Sequence, residues 1–385
     1  MQEMQEFRYT GFAQEILFGA GKLAQLGEAL ERFHWQRVML CSTQSQRRNG
    51  HIAAIERLLE GRLVANFEHV QPHVQDFQVA EGLALAREYE VDAIIGLGGG
   101  SPIGMAKVVS FALEGQEREQ QANSPIEQPL VPVIAIPTTY AGSELTPVYG
   151  VTNHVDGQAR KVTVSDVRIA PRLIIYDPLL TLDLPPELTA STGINALAHC
   201  IEALYSITRN PPSTAVALSG IRAITSSLLR CYEAGDDLEA RAEMLNGAFL
   251  AGMALAHVSM ALHHGLCHVL GGSAGVPHGV ANGIILPHAM RFNLDATASQ
   301  LAPAAEAMGI ATAGRDAESA VEEAIQAIYA LIGRMRLPQR LRDVGVQESD
   351  LPHLARLALS NRSVQNNPKS VTDAVQVEAI FRAAW

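Results

Sequence analysis

The chain has few cysteines, few aromatic side chains and no long hydrophobic run. Its four cysteines, Cys41, Cys200, Cys231 and Cys267, form no CxxC pair, which argues against a disulfide framework and favours a reducing compartment. No apolar stretch reaches the roughly 18 to 20 residues of a membrane-spanning helix, and the polar N-terminus is not typical of a signal peptide. We therefore expect a cytoplasmic globular protein with no membrane partner.

Basic residues are also scarce. Lysine and arginine number 29 against 40 acidic residues, so the formal net charge is −11. A chain of this charge offers no basic stripe for nucleic acid or for an anionic membrane. The composition favours an enzyme that acts on a small molecule.

Short β-branched runs alternate with helical patterns in the first half of the chain. The predicted strands are 37–42, 62–68, 91–98, 131–137 and 173–177, and the predicted helices are about 20–33, 51–60, 75–89 and 102–114. Residues 148–165 are expected to form a hairpin, and the polar stretch 115–129 a surface loop. This alternation is typical of βαβ units and a parallel sheet.

Beyond residue 183 the pattern changes to long Ala- and Leu-rich helical periods. The predicted helices are 188–206, 212–234, 237–260, 262–270, 279–293, 298–308, 317–335, 348–360 and 371–384. The sequence therefore predicts two domains, an α/β domain over 1–183 and an all-helical domain over 184–385.

A glycine-rich turn follows one predicted strand in IIGLGGGSPIGMAK, residues 94–107. Its turn residues are Gly98, Gly99, Gly100 and Ser101. Glycines allow close backbone approach, and the free N–H groups at a helix start favour a phosphate. The pattern is not a strict GxGxxG, so a tight strand-to-helix turn without a ligand remains the alternative.

Small and hydroxylated residues follow the next strand in AIPTTYAGSELTPVYGVT, residues 135–152. Thr138, Thr139 and Ser143 lie where ligands of open α/β sheets bind, at the carboxyl end of a strand. An ordinary loop capped by serine and threonine is the alternative.

Histidines are concentrated in one window. Six of the thirteen lie within residues 257–288, where His264 and His268 stand four apart and share a helix face. His278 follows Pro277 directly. On an earlier predicted helix, Asn195 and His199 are also four apart. Clustered imidazoles indicate a metal site or a proton-transfer site, whereas a single helix histidine is more often a core residue.

Four motifs in this order resemble the iron-containing (group III) alcohol dehydrogenase superfamily. They are GGGSPIGMAK, PTTYAGSELTP, GINALAHCIEALYS and HHGLCHVLGGSAGVPHGVANGIILPH. The resemblance implies the dehydroquinate synthase-like fold, with a Rossmann-like dinucleotide-binding domain followed by an all-α catalytic domain. It also implies NAD(H) or NADP(H), a divalent metal and a homodimer.

The resemblance assigns roles to individual residues. The cofactor would be held by Gly98, Gly99, Gly100, Ser101, Thr138, Thr139, Ser143 and Lys161. His268 matches the histidine near the nicotinamide and is expected to donate or relay a proton. The metal positions correspond to Asn195, His199, His264 and His278. At the end of the strand 37–42, Ser42 stands near the adenine ribose position, where many members have an aspartate, so either cofactor is expected.

Asn195 departs from the family pattern, because it occupies the position of a ligating aspartate. An amide oxygen brings a dipole where a carboxylate brings a full charge, so iron or zinc would bind weakly or not at all. Asn195, Tyr140 and His263 resemble the maleylacetate reductase branch, which is metal-independent. The stretch PHGVAN, residues 277–282, resembles the metal-dependent alcohol dehydrogenases instead.

The sequence thus predicts an NAD(P)H-dependent reductase of a small carboxylic acid, with maleylacetate to 3-oxoadipate as the leading reaction. Without a metal, His199, His264, His268 and His278 would donate hydrogen bonds or protons, some of them as imidazolium, and Tyr140 would be a further donor. The alternatives are a metal-dependent alcohol or aldehyde dehydrogenase, a non-redox dehydroquinate synthase-type enzyme, and a dinucleotide-binding protein without catalysis.

Overall fold

The computed structural model describes residues 6–118, 131–155 and 158–385, without the side chains of 114–118, 155 and 158–161. The chain divides into two units. One is Gly11–Leu184, and the other is Pro185–Trp385 together with the N-terminal segment up to Thr10. The sequence predicts this N-terminal segment as part of the first domain. The segment belongs to the helical unit instead, because the Tyr9 ring stacks on His257, with ring centroids 4.3 Å apart.

The α/β unit contains a six-stranded parallel sheet and a separate hairpin. The sheet strands are β1 (Glu15–Phe18), β2 (Val38–Cys41), β3 (Leu63–Phe67), β4 (Ala93–Gly98), β5 (Val133–Pro137) and β8 (Leu173–Tyr176), and the antiparallel hairpin is β6 (Val148–Val155) and β7 (Gln158–Ser165). The sheet order is β1-β8-β5-β4-β2-β3. Every residue of β2, β4, β5 and β8 is buried, as a sheet covered on both faces requires. The α/β prediction is confirmed, although the short edge strand β1 was missed.

Helices connect the strands and cover the sheet. They are α1 (Leu26–Phe33), α2 (Gln44–Arg48), α3 (His51–Leu59), α4 (Asp76–Glu88) and α5 (Gly100–Arg118). Leu40 and Ile95 pack into one apolar core, and Met39 and Ile94 into another, as expected for successive side chains that point to opposite faces of a strand. The predicted loop 115–129 is wrong at its start, because α5 continues to residue 118; residues 119–130 lie outside the described part.

The second unit is helical throughout its described residues. Its helices are α6 (Pro186–Tyr205), α7 (Pro211–Glu233), α8 (Leu238–His257), α9 (Leu262–Ala274), α10 (His278–Ala307), α11 (Ala317–Arg334), α12 (Leu351–Leu359), α13 (Arg362–Gln365) and α14 (Ala374–Ala383). The two helices predicted over 279–293 and 298–308 are one, α10. Polar residues at the predicted gap are satisfied within the fold: Asn293 donates to Asn367 (3.0 Å), and Thr297 donates to the Asn293 carbonyl (2.8 Å).

No single helix among the described residues is long and apolar enough to span a membrane. The helices α8 and α9, bent by 98° at the break between them, pass that test only as a pair.

Candidate functional site

The carboxyl edge of the sheet forms the first candidate site. The chain runs outward from β2 to β3 and then in the other direction from β4 to β5, so the strand order reverses between β2 and β4. Ligands of open α/β sheets bind at such a reversal. Hydrogen bonds fasten the strand ends there: Ser42 donates to the Leu97 carbonyl (3.0 Å), and the Thr138 N–H donates to the Gly98 carbonyl (3.0 Å).

The glycine-rich turn lies at this edge. Gly98 has a φ of 134°, which side chains rarely adopt, and α5 begins two residues later. A Cβ on Gly99 would lie 3.3 Å from Thr139, and one on Gly100 would lie 3.4 Å from the Ser143 hydroxyl. The two glycines therefore bring the backbone at the start of α5 against these hydroxylated side chains.

The Ser143 hydroxyl is buried and has no hydrogen-bond partner among the described residues. A buried hydroxyl without a partner is costly, so a bound ligand would satisfy it. Together with the N–H groups that a helix start offers, this fits a dinucleotide phosphate.

Three of the predicted cofactor residues are already engaged. Ser42 is fully buried, with its hydroxyl committed to Leu97, so it supports the sheet edge and does not face a ribose as the sequence analysis expected. Thr138 is buried and accepts a hydrogen bond from Gln46 Nε2 (3.1 Å). The Ser101 hydroxyl accepts from the backbone N–H of His73 (3.2 Å).

Two further predicted residues are placed differently. Lys161 pairs with Thr152 in the β6–β7 hairpin, but its side chain lies outside the described part of the structure. Tyr140 is fully buried within the α/β unit, whereas the histidines belong to the helical unit.

The second candidate site is a cluster of histidine rings on α6, α9 and α10. His199 and His264 stack with centroids 4.6 Å apart and planes 14° apart. His278 lies 6.0 Å from His264 and 5.8 Å from His268, centroid to centroid. Helices α10 and α6 approach closely at Gly279, since a Cβ there would lie 2.8 Å from the Ser191 Cβ. The fold therefore brings together the four histidines that the sequence singled out.

Exposure rises across this cluster. His264 and His199 are 3% and 5% exposed, and Asn195 on the same face of α6 is 6% exposed. His278, the first residue of α10, is half-buried, and His268 is exposed. Of the clustered rings, His268 is therefore the one most accessible to a substrate or to water.

A buried carboxylate, Glu202, lies behind the cluster. It is 0% exposed and accepts a short hydrogen bond from His264 Nδ1 and one from the Ala261 N–H (3.1 Å). His263 Nδ1 is 3.7 Å from the same carboxylate, and His263 Nε2 is 3.1 Å from the Asn282 carbonyl. No role was expected for His263 or for Glu202 from the sequence. Two sequence features could have indicated that they belong to the site: the His263–His264 pair, and the position of Glu202 three residues after His199.

The charges of this group follow from its contacts. Burial alone would raise the pKa of Glu202, but His264 and His263 outweigh it and hold that pKa well below its ordinary value. Burial would lower the pKa of His263, but its contacts with Cys267 and Glu202 raise it to about 10. Glu202 is therefore a carboxylate, and its contact with His263 favours the protonated form of that ring.

The inner rings of the cluster are neutral. Burial lowers the pKa of both His199 and His264, and for His199 the positive charge of neighbouring histidines adds to the effect. Burial therefore disfavours the imidazolium form of His199 and His264, whereas the expectation that some rings of the cluster act as imidazolium stays a prediction for His268 and His278. His264 donates Nδ1–H to Glu202, which leaves a lone pair on its Nε2.

The residues present do not fit the iron site that the resemblance implies. His264 Nε2 and His199 Nδ1 are buried without hydrogen-bond partners among the described residues, as potential ligand atoms would be. The carboxylate ligand is missing, however, because Asn195 occupies its position. Glu202, whose ligand atoms lie within 4.8 Å of those of His263 and His264, is neutralised by His263. A set of imidazoles and an amide without a carboxylate is a poor site for iron(II).

Comparisons with known proteins cover both units. Residues 13–178 match the model of the iron-containing alcohol dehydrogenase family, and residues 189–385 match the model of its C-terminal region. A maleylacetate reductase of Pseudomonas knackmussii is 36% identical over 96% of this chain and 95% of its own length. A 1,3-propanediol dehydrogenase of Klebsiella pneumoniae is 34% identical over 96% of each chain. The crystal structure of maleylacetate reductase from Rhizobium sp. strain MTP-10005 has a TM-score of 0.85 at 32% identity and covers 99% of both chains.

Proposed function

The chain belongs to the iron-containing alcohol dehydrogenase family, and we propose that this oxidoreductase is a maleylacetate reductase using NADH or NADPH. One observation carries the choice within the family. The histidine positions of the metal site are kept, but Asn195 replaces the carboxylate ligand and the nearby Glu202 is committed to His263 and His264. This arrangement supports a reaction that proceeds without a metal ion.

The proposed reaction reduces a carbon–carbon double bond conjugated to a ketone. NADH or NADPH, when bound at the glycine turn, would supply a hydride for the alkene carbon β to the ketone. The electron pair of the alkene moves to the ketone oxygen as an enolate. A proton then adds to the α carbon, and 3-oxoadipate results.

The outer rings of the histidine cluster, His268 and His278, would provide the hydrogen-bond donors that the enolate needs, because the Nδ1–H of His264 is committed to Glu202. Such donors stabilise developing negative charge in a site of low polarity. We assign the proton transfer to His268, because it is the exposed ring of the cluster. His278 lies next to it and is suited to bind the oxyanion or a substrate carboxylate.

We assign cofactor binding to the carboxyl edge of the sheet. The glycine turn and Ser143 would hold the pyrophosphate, and Thr139 would line the site. No carboxylate follows β2, where Ser42, Thr43 and Gln44 stand, so nothing in this segment repels a 2′-phosphate. We also propose that the protein is a homodimer and that it is located in the cytoplasm.

The main competitor is a metal-dependent alcohol dehydrogenase. The similarity to 1,3-propanediol dehydrogenase and the PHGVAN stretch favour it. Steady-state rates with maleylacetate and NADH or NADPH, compared with 1,3-propanediol and NAD(P)+, distinguish the two. We expect kcat/KM for maleylacetate to exceed that for the diol by more than a hundredfold; a faster diol reaction would exclude the proposal. Cofactor binding without turnover of either substrate would indicate a non-catalytic protein or a non-redox enzyme.

A further inference from the structure

A buried lysine, which the proposed reaction does not use, lies beneath the cofactor site. Lys107 is on α5 and is 1% exposed. Its Nζ donates hydrogen bonds to three backbone carbonyls of one loop, those of Ser143 (2.7 Å), Thr146 (2.7 Å) and Val148 (3.1 Å). A single side chain therefore fastens this loop to the helix that starts at the glycine turn.

The bonding of Lys107 differs from that of an ordinary ion pair. Glu144 is the acid whose charge acts on Lys107; it is fully buried, accepts from the Tyr176 hydroxyl (2.8 Å) and has its pKa raised by burial. In its protonated form the amine has three N–H groups, which match the three carbonyl acceptors, and Thr146 adds a bond to the Ser143 carbonyl (2.8 Å). Burying an ammonium group is costly, and an apolar side chain would fill the same space without that cost. The contact with the loop therefore explains why a lysine, and not an apolar residue, is buried at position 107.

The held loop contains the hydroxyl that faces the glycine turn. The Ser143 hydroxyl lies 3.4 Å from the Cβ position of Gly100, at the first turn of α5, and Lys107 lies two turns further along the same helix. The loop thus contacts α5 at two places: Ser143 lies beside Gly100, and the loop carbonyls bind Lys107. A shift of the loop would change the distance between the Ser143 hydroxyl and the first turn of α5.

We propose that Lys107 is a positioning residue for dinucleotide binding, which holds Ser143 in place beside the glycine turn. The inference rests on the proposed use of NADH or NADPH, but not on the identity of the substrate. Lys107 does not contact the cofactor in this arrangement; it acts through the loop.

The test measures NADH and NADPH binding by fluorescence titration in the full chain. In Lys107→Met the side chain keeps its length and loses its donors. We expect the Kd of the folded protein to rise about tenfold or more, and the cofactor KM to rise while kcat at saturating cofactor stays within a factor of about two. Lys22→Met, which removes a charge from a less buried position of the same unit, is the matched control and should leave Kd unchanged.

A double-mutant cycle with Ser143→Ala distinguishes positioning from general destabilisation. If Lys107 acts through Ser143, Lys107→Met should add little to the Kd of Ser143→Ala. Additive effects, or an unchanged Kd in Lys107→Met, would overturn the inference. Should Lys107→Met fail to fold, Thr146→Val removes one hydroxyl from the same loop, and its smaller effect on Kd should be masked by Ser143→Ala in the same way. Wild-type protein that binds NADH but does not reduce maleylacetate would contradict the proposed function and leave this test intact.

Discussion

Glu202 determines the charge distribution of the histidine cluster. Its carboxylate lies 3.7 Å from His263 and accepts the Nδ1–H of His264, so one imidazole is held charged and the other neutral. A buried carboxylate of this kind fixes the ring orientation and the tautomer of the histidine it contacts. The two inner rings, His199 and His264, therefore favour the neutral form, and the Glu202 carboxylate lies behind them.

His268 is the residue whose replacement should affect the chemistry most. A general acid contributes roughly a hundredfold or more to turnover, so His268→Ala should lower kcat for maleylacetate by about that factor and leave the Kd for NADH nearly unchanged. Stopped-flow and steady-state measurements provide both values. His288→Ala is the control: that ring contacts Tyr329 and makes none of the ring contacts within the cluster. A kcat within a factor of two of wild type would exclude the role of His268.

Asn195→Asp restores a carboxylate at the family's metal position. We expect the affinity for Zn²⁺ or Fe²⁺ to rise at least tenfold, because a full negative charge replaces an amide dipole. Isothermal titration calorimetry and metal analysis measure the change, with Asn195→Ala as the control. Without metal the variant should be less stable than wild type, since the new carboxylate is buried. Equal metal binding by both variants would mean that the ligand geometry has been lost.

Helix α5 contains one feature that the local sequence predicts and one that depends on tertiary packing. We assign the phosphate site to its amino end, where the glycine pattern predicts it. Two turns later it carries Lys107, which bonds a loop 36 to 41 residues further along the chain. Local sequence predicts the first, whereas the second depends on how helix and loop pack.

Burial of Lys107 should make stability depend on pH. Burial lowers the pKa of Lys107 from 10.5 to about 7, and Glu144 opposes this only in part. Between pH 7 and 10.5 the unfolded chain binds a proton there that the folded chain does not, so this residue makes stability rise with pH. Other charged or titratable groups on elements packed against α5 include Asp76, Glu81, Arg87 and Glu88 on α4, Tyr149 and His154 on β6, and the Arg168–Asp166 pair.

The difference between two proteins isolates the effect of Lys107. The free energy of unfolding of wild type minus that of Lys107→Met should increase from pH 7 to pH 10 in urea titrations. Lys22→Met should show no such slope relative to wild type. A difference that stays constant with pH would mean that Lys107 is not neutralised in the folded protein.

At the scale of the whole molecule, the two units carry different candidate sites. The α/β unit carries the glycine turn and Ser143, and the helical unit carries the histidines. The net charge of −11 does not attract a dicarboxylate over long range, so substrate recognition depends on local donors.

The proposed reaction should continue when metal ions are removed. After dialysis against EDTA, maleylacetate reduction should retain at least about nine-tenths of its rate, because no step depends on a Lewis acid. The same treatment of a metal-dependent alcohol dehydrogenase of this family provides the positive control. Loss of activity on chelation, restored by Fe²⁺ or Zn²⁺, would refute the metal-free mechanism.

The sequence by itself determined the fold class, the glycine turn and the histidines that meet in one cluster. Each has a local signature: alternating apolar runs, glycines between a strand and a helix, and histidines four residues apart. These patterns are sufficient because strand and helix geometry fix which near neighbours share a face. The continuity of α10 was missed, because Asn293 and Thr297 appear as loop residues until their partners are known.

Only the tertiary structure decided which of these groups are charged, buried or engaged. Glu202 meets His264 from 62 positions away, Ser42 meets Leu97 from 55, and Lys107 meets Ser143 from 36. Helical or strand periodicity contains no information about such pairings. Protonation also depends on burial, which is a property of the packed chain. The sequence therefore identified the reactive residue types, and packing determined which of them carries a charge.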